Sequence, residues 1–289
     1  MADLDQAPAR AGTHRSTTAL AALAAWWRPY RAVLTSRVRA QTSYRGSFAL
    51  DLASSVLIGL VELAEIWVLY RSVDALGGLD LAAVLLVFGI ADTAFSTADL
   101  FVGHVDTLPR YLRAGTLDVF YLRPQPLLAQ LVTSEISLRR VTRIGVGLTA
   151  LAVGLAVNDI AWSPLVVAFL VVVLLASTLT FAGLFVAAAG VQFFLVDASE
   201  MTNAVVYGGR YAATQPASVW GKPLVALFGF AVPIAFTAYL PVVALLGLPG
   251  AEWLPSWLGW LAPLAAVWTW AVALLAWRTG VRHYQGGGG

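Results

Sequence analysis

The chain has 289 residues, 59% hydrophobic and only 12% charged, with a formal net charge of +2 and no cysteine. A soluble domain is nearer a quarter charged, so this is the composition of a membrane protein. The lack of cysteine excludes a disulfide framework, a thiolate metal site and a cysteine nucleophile.

Residues 1–46 carry charges throughout and show no short apolar core with a small-residue cleavage site, unlike a secretory signal. Residues 1–19 read as a disordered tail. Residues 20–45, LAALAAWWRPYRAVLTSRVRAQTSYR, set Trp26 and Trp27 among arginines, an amphipathic stretch suited to an interfacial helix.

A hydrocarbon core about 30 Å thick takes roughly 20 apolar residues of helix. Six such windows follow, at about 47–70, 81–104, 141–157, 164–196, 223–246 and 258–277, which predicts an all-α integral membrane fold with both termini on one side. Of the 18 basic residues, 17 fall on that side, Arg210 and Lys222 among them, and Arg71 alone falls on the other. The asymmetry puts the termini in the cytoplasm. Trp253, Trp257 and Trp260 gather at the last outer loop, where an aromatic belt would lie.

The first two spans hold carboxylates. Glu62 and Glu65 share a face of span one, and Asp92 and Asp99 share a face of span two with Ser96 between them. A charge at the bilayer centre costs roughly 2.5–3.5 kcal/mol on insertion scales, so such groups should face protein or a watery cavity. They read either as a translocation cavity for cationic or amphipathic guests, or as structural groups. In the structural reading Glu62 or Glu65 pairs with Arg71, and Asp99 pairs with the inner arginines.

Between spans two and three lies VDTLPRYLRAGTLDVFYLRPQP, residues 105–126, basic and broken by proline. Asp106 or Thr107 can cap a helix with Pro109 in its first turn and Gly115 at its end. A second short helix follows and closes at Arg123-Pro124. The segment lies across the inner surface, as an interfacial anchor or as a docking surface. Residues 197–222 read as a further cytoplasmic element, broken at Gly208-Gly209 and Pro216 and serving as dock, hinge or linker. The closing 286–289 are a flexible glycine tail.

No phosphate-binding loop, H-E-x-x-H or G-x-S-x-G occurs, so the chain has no nucleotide-hydrolysing motor and no catalytic residue to nominate. His14, His104 and His283 are too few and too scattered for a metal site.

Four stretches in order carry a family resemblance: LPRYLRAGTLDVFYLRPQPLLAQLVTSEISLRR (108–140), EMTNAVVYGGRYAATQPASVWGKPL (200–224), VPIAFTAYLP (232–241) and GVRHYQ (280–285). Together they resemble ABC-2 type transporter permeases, in particular the six-span subfamily carried as a domain of unknown function, whose members include multidrug and viologen-type exporters. The resemblance spans the chain from about residue 25. It implies a type V exporter-like permease domain over 20–285 that binds no cofactor itself. It also implies a second permease, identical or paralogous, and two copies of an ABC ATPase subunit that hold ATP and Mg. By the same resemblance 105–126 is the coupling segment, with Arg110, Arg113 and Arg123 meeting ATPase acids or backbone and Tyr111 and Leu112 forming the apolar part. The interfacial helix corresponds to the family's connecting helix. The expected activity is export of an amphipathic or cationic small molecule, with Glu62, Glu65, Asp92 and Asp99 in the translocation cavity. The alternatives are a proton-coupled secondary transporter that uses those carboxylates, and a non-transporting scaffold. Seventeen arginines to one lysine, with abundant Ala, Val and Leu, point to a GC-rich bacterial source and hence to its inner membrane. The bilayer is a partner and nucleic acid is not.

Overall fold

The computed structural model describes residues 45–134, 139–195 and 199–285, together with Thr35. The expected tail 1–19, most of the interfacial helix 20–45 and the glycine tail 286–289 lie outside the described residues. Among the described residues the fold is all-α, with two isolated bridges, Leu76 to Leu79 and Ala251 to Leu254, and no strand.

Five helices are long and apolar enough to cross a membrane. The first four are α1 (Arg45–Tyr70) and α2 (Leu81–Val102), then, beyond a set of short helices, α6 (Arg139–Val157) and α7 (Pro164–Gln192). Asp80 starts α2, its carboxylate accepting from the Ala83 amide at 2.8 Å, and Ser163 with Pro164 starts α7. Between α2 and α6, at the inner end, sit α3 (Leu108–Arg113), α4 (Asp118–Tyr121) and α5 (Leu127–Thr133). Pro109 lies in the first turn of α3, and Gly115 beyond its end takes φ +64°, a left-handed angle that favours glycine. The Thr107 side chain does not cap α3; its hydroxyl donates to the His104 carbonyl at 2.8 Å.

The route of residues 199–261 departs from the sequence reading. α8 (Ser199–Thr202), a π-helical turn (Asn203–Tyr207) and α9 (Gly208–Ala213) form one rod, followed by a 3-10 turn at Ala217–Val219. The lower end of the rod is at the inner side, where Gln192 donates to Thr202 at 2.6 Å and Tyr207 donates to Asp106 at 3.0 Å. The upper end is at the α1–α2 loop, where Ser218 donates to the Gly77 carbonyl at 2.6 Å. At 1.5 Å per residue, 199–219 covers roughly 30 Å, the thickness of the hydrocarbon core. This segment is therefore the fifth crossing, and the cytoplasmic element expected at 197–222 is corrected. The helix also runs through Gly208-Gly209, so the expected break falls only at Pro216.

The expected fifth span at 223–246 is a hairpin instead. Lys222–Ala231 and Ile234–Leu245 are bent by 65° where they meet at Val232-Pro233. The first limb consists of α10 (Lys222–Leu224) and a π-helical stretch, and the second ends in α11 (Tyr239–Leu245). The last helix, α12 (Ala262–His283), reaches the inner side, where Tyr284 donates to Asp118 at 2.9 Å. Its start is thus at the outer side, the same side as Ser218, so the chain between them makes no net crossing. Lys222 stands over the Trp253 ring at 5.6 Å, and a Cβ on Gly259 would meet the Leu240 backbone and the Ala244 side chain. The hairpin thus begins and ends outside. The deepest part is near Thr237, whose carbonyl accepts from Ser177 in mid-α7 at 2.6 Å. Six crossings and cytoplasmic termini survive this rearrangement. Lys222 moves outside to join Arg71, Arg210 enters the membrane, and 15 basic residues stay inside.

A chain without native cysteine makes this topology directly testable. In intact cells Lys222→Cys and Glu252→Cys should both react with a membrane-impermeant maleimide, and Arg123→Cys should react only after permeabilisation. Lys222→Cys protected until permeabilisation would restore 223–246 as a crossing.

Candidate functional site

The carboxylates of the first two spans meet a cation from the fifth crossing. Arg210, 7% exposed, sends Nη1 and Nη2 to the two Glu62 oxygens at 3.0 and 2.6 Å. Its Nε and Nη2 also reach Asp92 Oδ1 at 3.1 and 2.6 Å, and Asp92 is 2% exposed. One guanidinium thus ties α1, α2 and the fifth crossing together at mid-membrane through charge-assisted, bidentate bonds. Its flat face lies 5.4 Å from the Phe95 ring, which packs on Phe181, Phe185 and Tyr207.

The structure does not gather the four acids round one open cavity. Glu62 and Asp92 are brought together on Arg210. Glu65 stands apart, accepting from Tyr211 at 3.1 Å. Asp99 pairs with Arg140, Oδ2 to Nε at 3.1 Å, while Arg140 Nη1 donates to the Asp99 carbonyl at 2.9 Å. Protein cations and a phenol hold these carboxylates in the structure. Of the structural pairings, Asp99 with an inner arginine is found. Glu62 pairs with Arg210 in place of Arg71, whose guanidinium stacks on Trp67.

Below this network a polar cavity of about 300 Å³ is lined by α1, α2, α6 and the π-helical turn. Sequence reasoning missed both the cavity and Arg210. The available signal was charge balance, since two acids buried in spans need a cation and Arg210 follows in a weakly apolar helix.

Helices α3, α4 and α5 form a compact inner platform. Gln130, buried on α5, donates to the Phe120 carbonyl at 3.0 Å and the Gln125 carbonyl at 2.7 Å, which fixes the α4–α5 turn. Arg110, Arg113 and Arg123 are exposed, as a docking surface requires. Tyr111 and Leu112 are half-buried against their own fold, with the Tyr111 ring 5.1 Å from Phe120. The outward apolar groups are instead Leu122, 84% exposed, and Val119. Tyr284 locks this tip to α12 by stacking on Tyr121 at 6.1 Å and by its bond to Asp118. Burial and the Asp118 contact push the Tyr284 hydroxyl up to about 12, so it stays a donor at physiological pH.

Among the described residues no group of three His, Asp or Glu side chains could hold a metal ion. A family model described as an ABC-2 family transporter protein matches residues 56–288. No curated protein and no solved structure matches the chain.

Proposed function

Since the chain belongs to the ABC-2 transporter family and is a membrane permease, with ATP hydrolysis residing in a separate subunit, we propose that it exports an amphipathic molecule from the cytoplasm. Permeases of this family generally partner with an ABC ATPase. In this reading two ATPase copies, carrying ATP and Mg, dock on the α3–α5 platforms of two permeases in a bacterial inner membrane. The observation that carries it is Leu122, 84% exposed on a platform that also exposes Arg110, Arg113 and Arg123. An apolar anchor inside a charged rim is how a docking contact concentrates its energy. Closure of the ATPases then moves the platform, and the Tyr284 lock carries the motion to α12.

The path for cargo runs between two permeases in this reading. Among the described residues Glu62, Asp92 and Asp99 are held by arginines, and the polar cavity below them is about 300 Å³. A proton relay is disfavoured because Arg210 and Arg140 hold Glu62, Asp92 and Asp99.

Co-purification from the native host, followed by ATPase and vesicle-transport assays, tests the reading. Leu122→Asp, and separately Arg110→Glu with Arg113→Glu, should leave the fold intact and lower coupled transport at least about tenfold, equivalent to roughly 1.4 kcal/mol of docking energy. Undiminished coupling in both variants would remove the platform from the mechanism.

A further inference from the structure

The 300 Å³ cavity lies at the inner end of the spans, where Arg140 is the second residue of α6 and Asp99 is in the last turn of α2. Arg140 and Arg143, three apart on α6, present their guanidinium groups from one face. Arg140 is engaged by Asp99, with Nε and Nη1 committed. Arg143 is not similarly engaged. Its nearest approach to an acid is 3.9 Å, to Glu62, whose two oxygens already accept from Arg210. Among the described residues Arg143 donates no hydrogen bond. A guanidinium carries five N–H donors, so a half-buried one facing a cavity leaves room for an anion.

The other walls define what that anion carries. Ser54 donates to the Leu50 carbonyl at 2.8 Å, Ser55 to the Asp51 carbonyl at 2.9 Å, and Tyr207 to Asp106 at 3.0 Å. Their protons are committed, so these three oxygens offer only lone pairs to the cavity. A fitting guest therefore accepts from arginine and donates through hydroxyls of its own. Ser54 and Ile58 are exposed on α1, so the cavity is open along that helix.

From this geometry we infer that the cavity is a binding site for a hydroxyl-bearing phosphoester, its phosphate on Arg143 and Arg140 and its hydroxyls on Ser54, Ser55 and Tyr207. Basic pockets between spans on the cytoplasmic side suit anionic head groups, and a volume near 300 Å³ is at the small end of ligand pockets. The inference rests on the reading of the chain as a membrane permease and is independent of ATPase docking.

The test uses the full chain in nanodiscs of phosphatidylcholine containing a minor fraction of phosphatidylglycerol, with retained lipid counted by native mass spectrometry. Wild type should retain phosphatidylglycerol selectively. Arg143→Gln, and separately Ser54→Phe, which fills the mouth from an exposed position, should lower retention roughly tenfold without changing Tm. Soluble glycerol phosphate is the second arm. If it displaces the lipid, the site reads the phosphoester from either source. If it does not, the head group is read only on a lipid. Equal retention of phosphatidylcholine, or retention unmoved by both variants, would overturn the site. Co-purification of an ATPase is scored separately, so failure of the docking reading leaves the lipid result interpretable.

Discussion

Arg210→Met should cost the protein about 3–5 kcal/mol, because it strands a buried carboxylate, Asp92, and a half-buried one, Glu62, within the spans. Asp92 is 2% exposed and has Arg210 as its ion-pair partner among the described residues, and Glu62 would keep only Arg143 at 3.9 Å. For a chain of this size that is roughly a 10 °C fall in Tm in detergent, or loss of folded protein on expression. Arg210→Lys should recover only part of the loss, since an ammonium cannot reproduce the planar fork that spans both acids. The decisive variant combines Arg210→Met with Glu62→Gln and Asp92→Asn. If the network is structural, removing all three charges restores most of the stability that the single change loses. A single Arg210→Met protein with wild-type Tm would show that the guanidinium is not the keystone of these spans.

The same arginine shows where the sequence was legible and where it was not. The windows that became α1, α2, α6, α7 and α12 are long and nearly free of charge, so length and hydropathy were enough to find them. The inner clustering of arginine was strong enough to survive moving Arg210 and Lys222. Crossing five escaped because it carries Glu200, Asn203, Arg210 and Gln215, and it is stabilised by neighbours instead of by its own apolarity. Gln192 holds its foot, Glu62 and Asp92 hold its middle, and Gly77 holds its top. Conversely, the hairpin was read as a span because an apolar window records length and not direction. Pro233 in its middle was the one local sign that the chain turns there. The acids themselves were found, but their partner lay more than 100 residues away, a separation that spacing rules do not address. The platform was located by its prolines and arginines. Its outward apolar group is Leu122, because α3 turns Tyr111 and Leu112 inward against Phe120 and the core.

Gly89→Leu is expected to be about as damaging as loss of Arg210, for a different reason. α2 and α6 run antiparallel, fastened near their ends by Asn158 donating to the Ala82 carbonyl at 2.7 Å and by Arg140 donating to the Asp99 carbonyl at 2.9 Å. Between those ties the backbones nearly touch. A Cβ on Gly147 would lie 2.6 Å from the Thr93 amide nitrogen, one on Gly154 would lie 2.7 Å from the Leu86 Cα, and one on Gly89 would strike the Leu151 backbone. Backbone cannot rotate aside as a side chain can, so any larger residue must part the helices. In lipid that loss is not offset by hydrophobic burial, because the tails are as apolar as the side chains, and close packing is what holds two spans together. The expected cost is about 3 kcal/mol, the upper end for overpacking, read as lowered Tm and faster proteolysis of the α2–α6 pair. Gly145→Leu is the control: it sits on α6, the other helix of the pair, with nothing within 4 Å of its added Cβ, so it should be neutral. Equal tolerance at 89 and 145 would refute the close-packed seam. Because α2 carries Asp92 and Asp99 while α6 carries Arg140 and Arg143, parting the seam also opens the phosphoester cavity. A surviving Gly89→Leu protein should therefore lose phosphatidylglycerol retention together with stability, whereas Arg143→Gln loses retention alone.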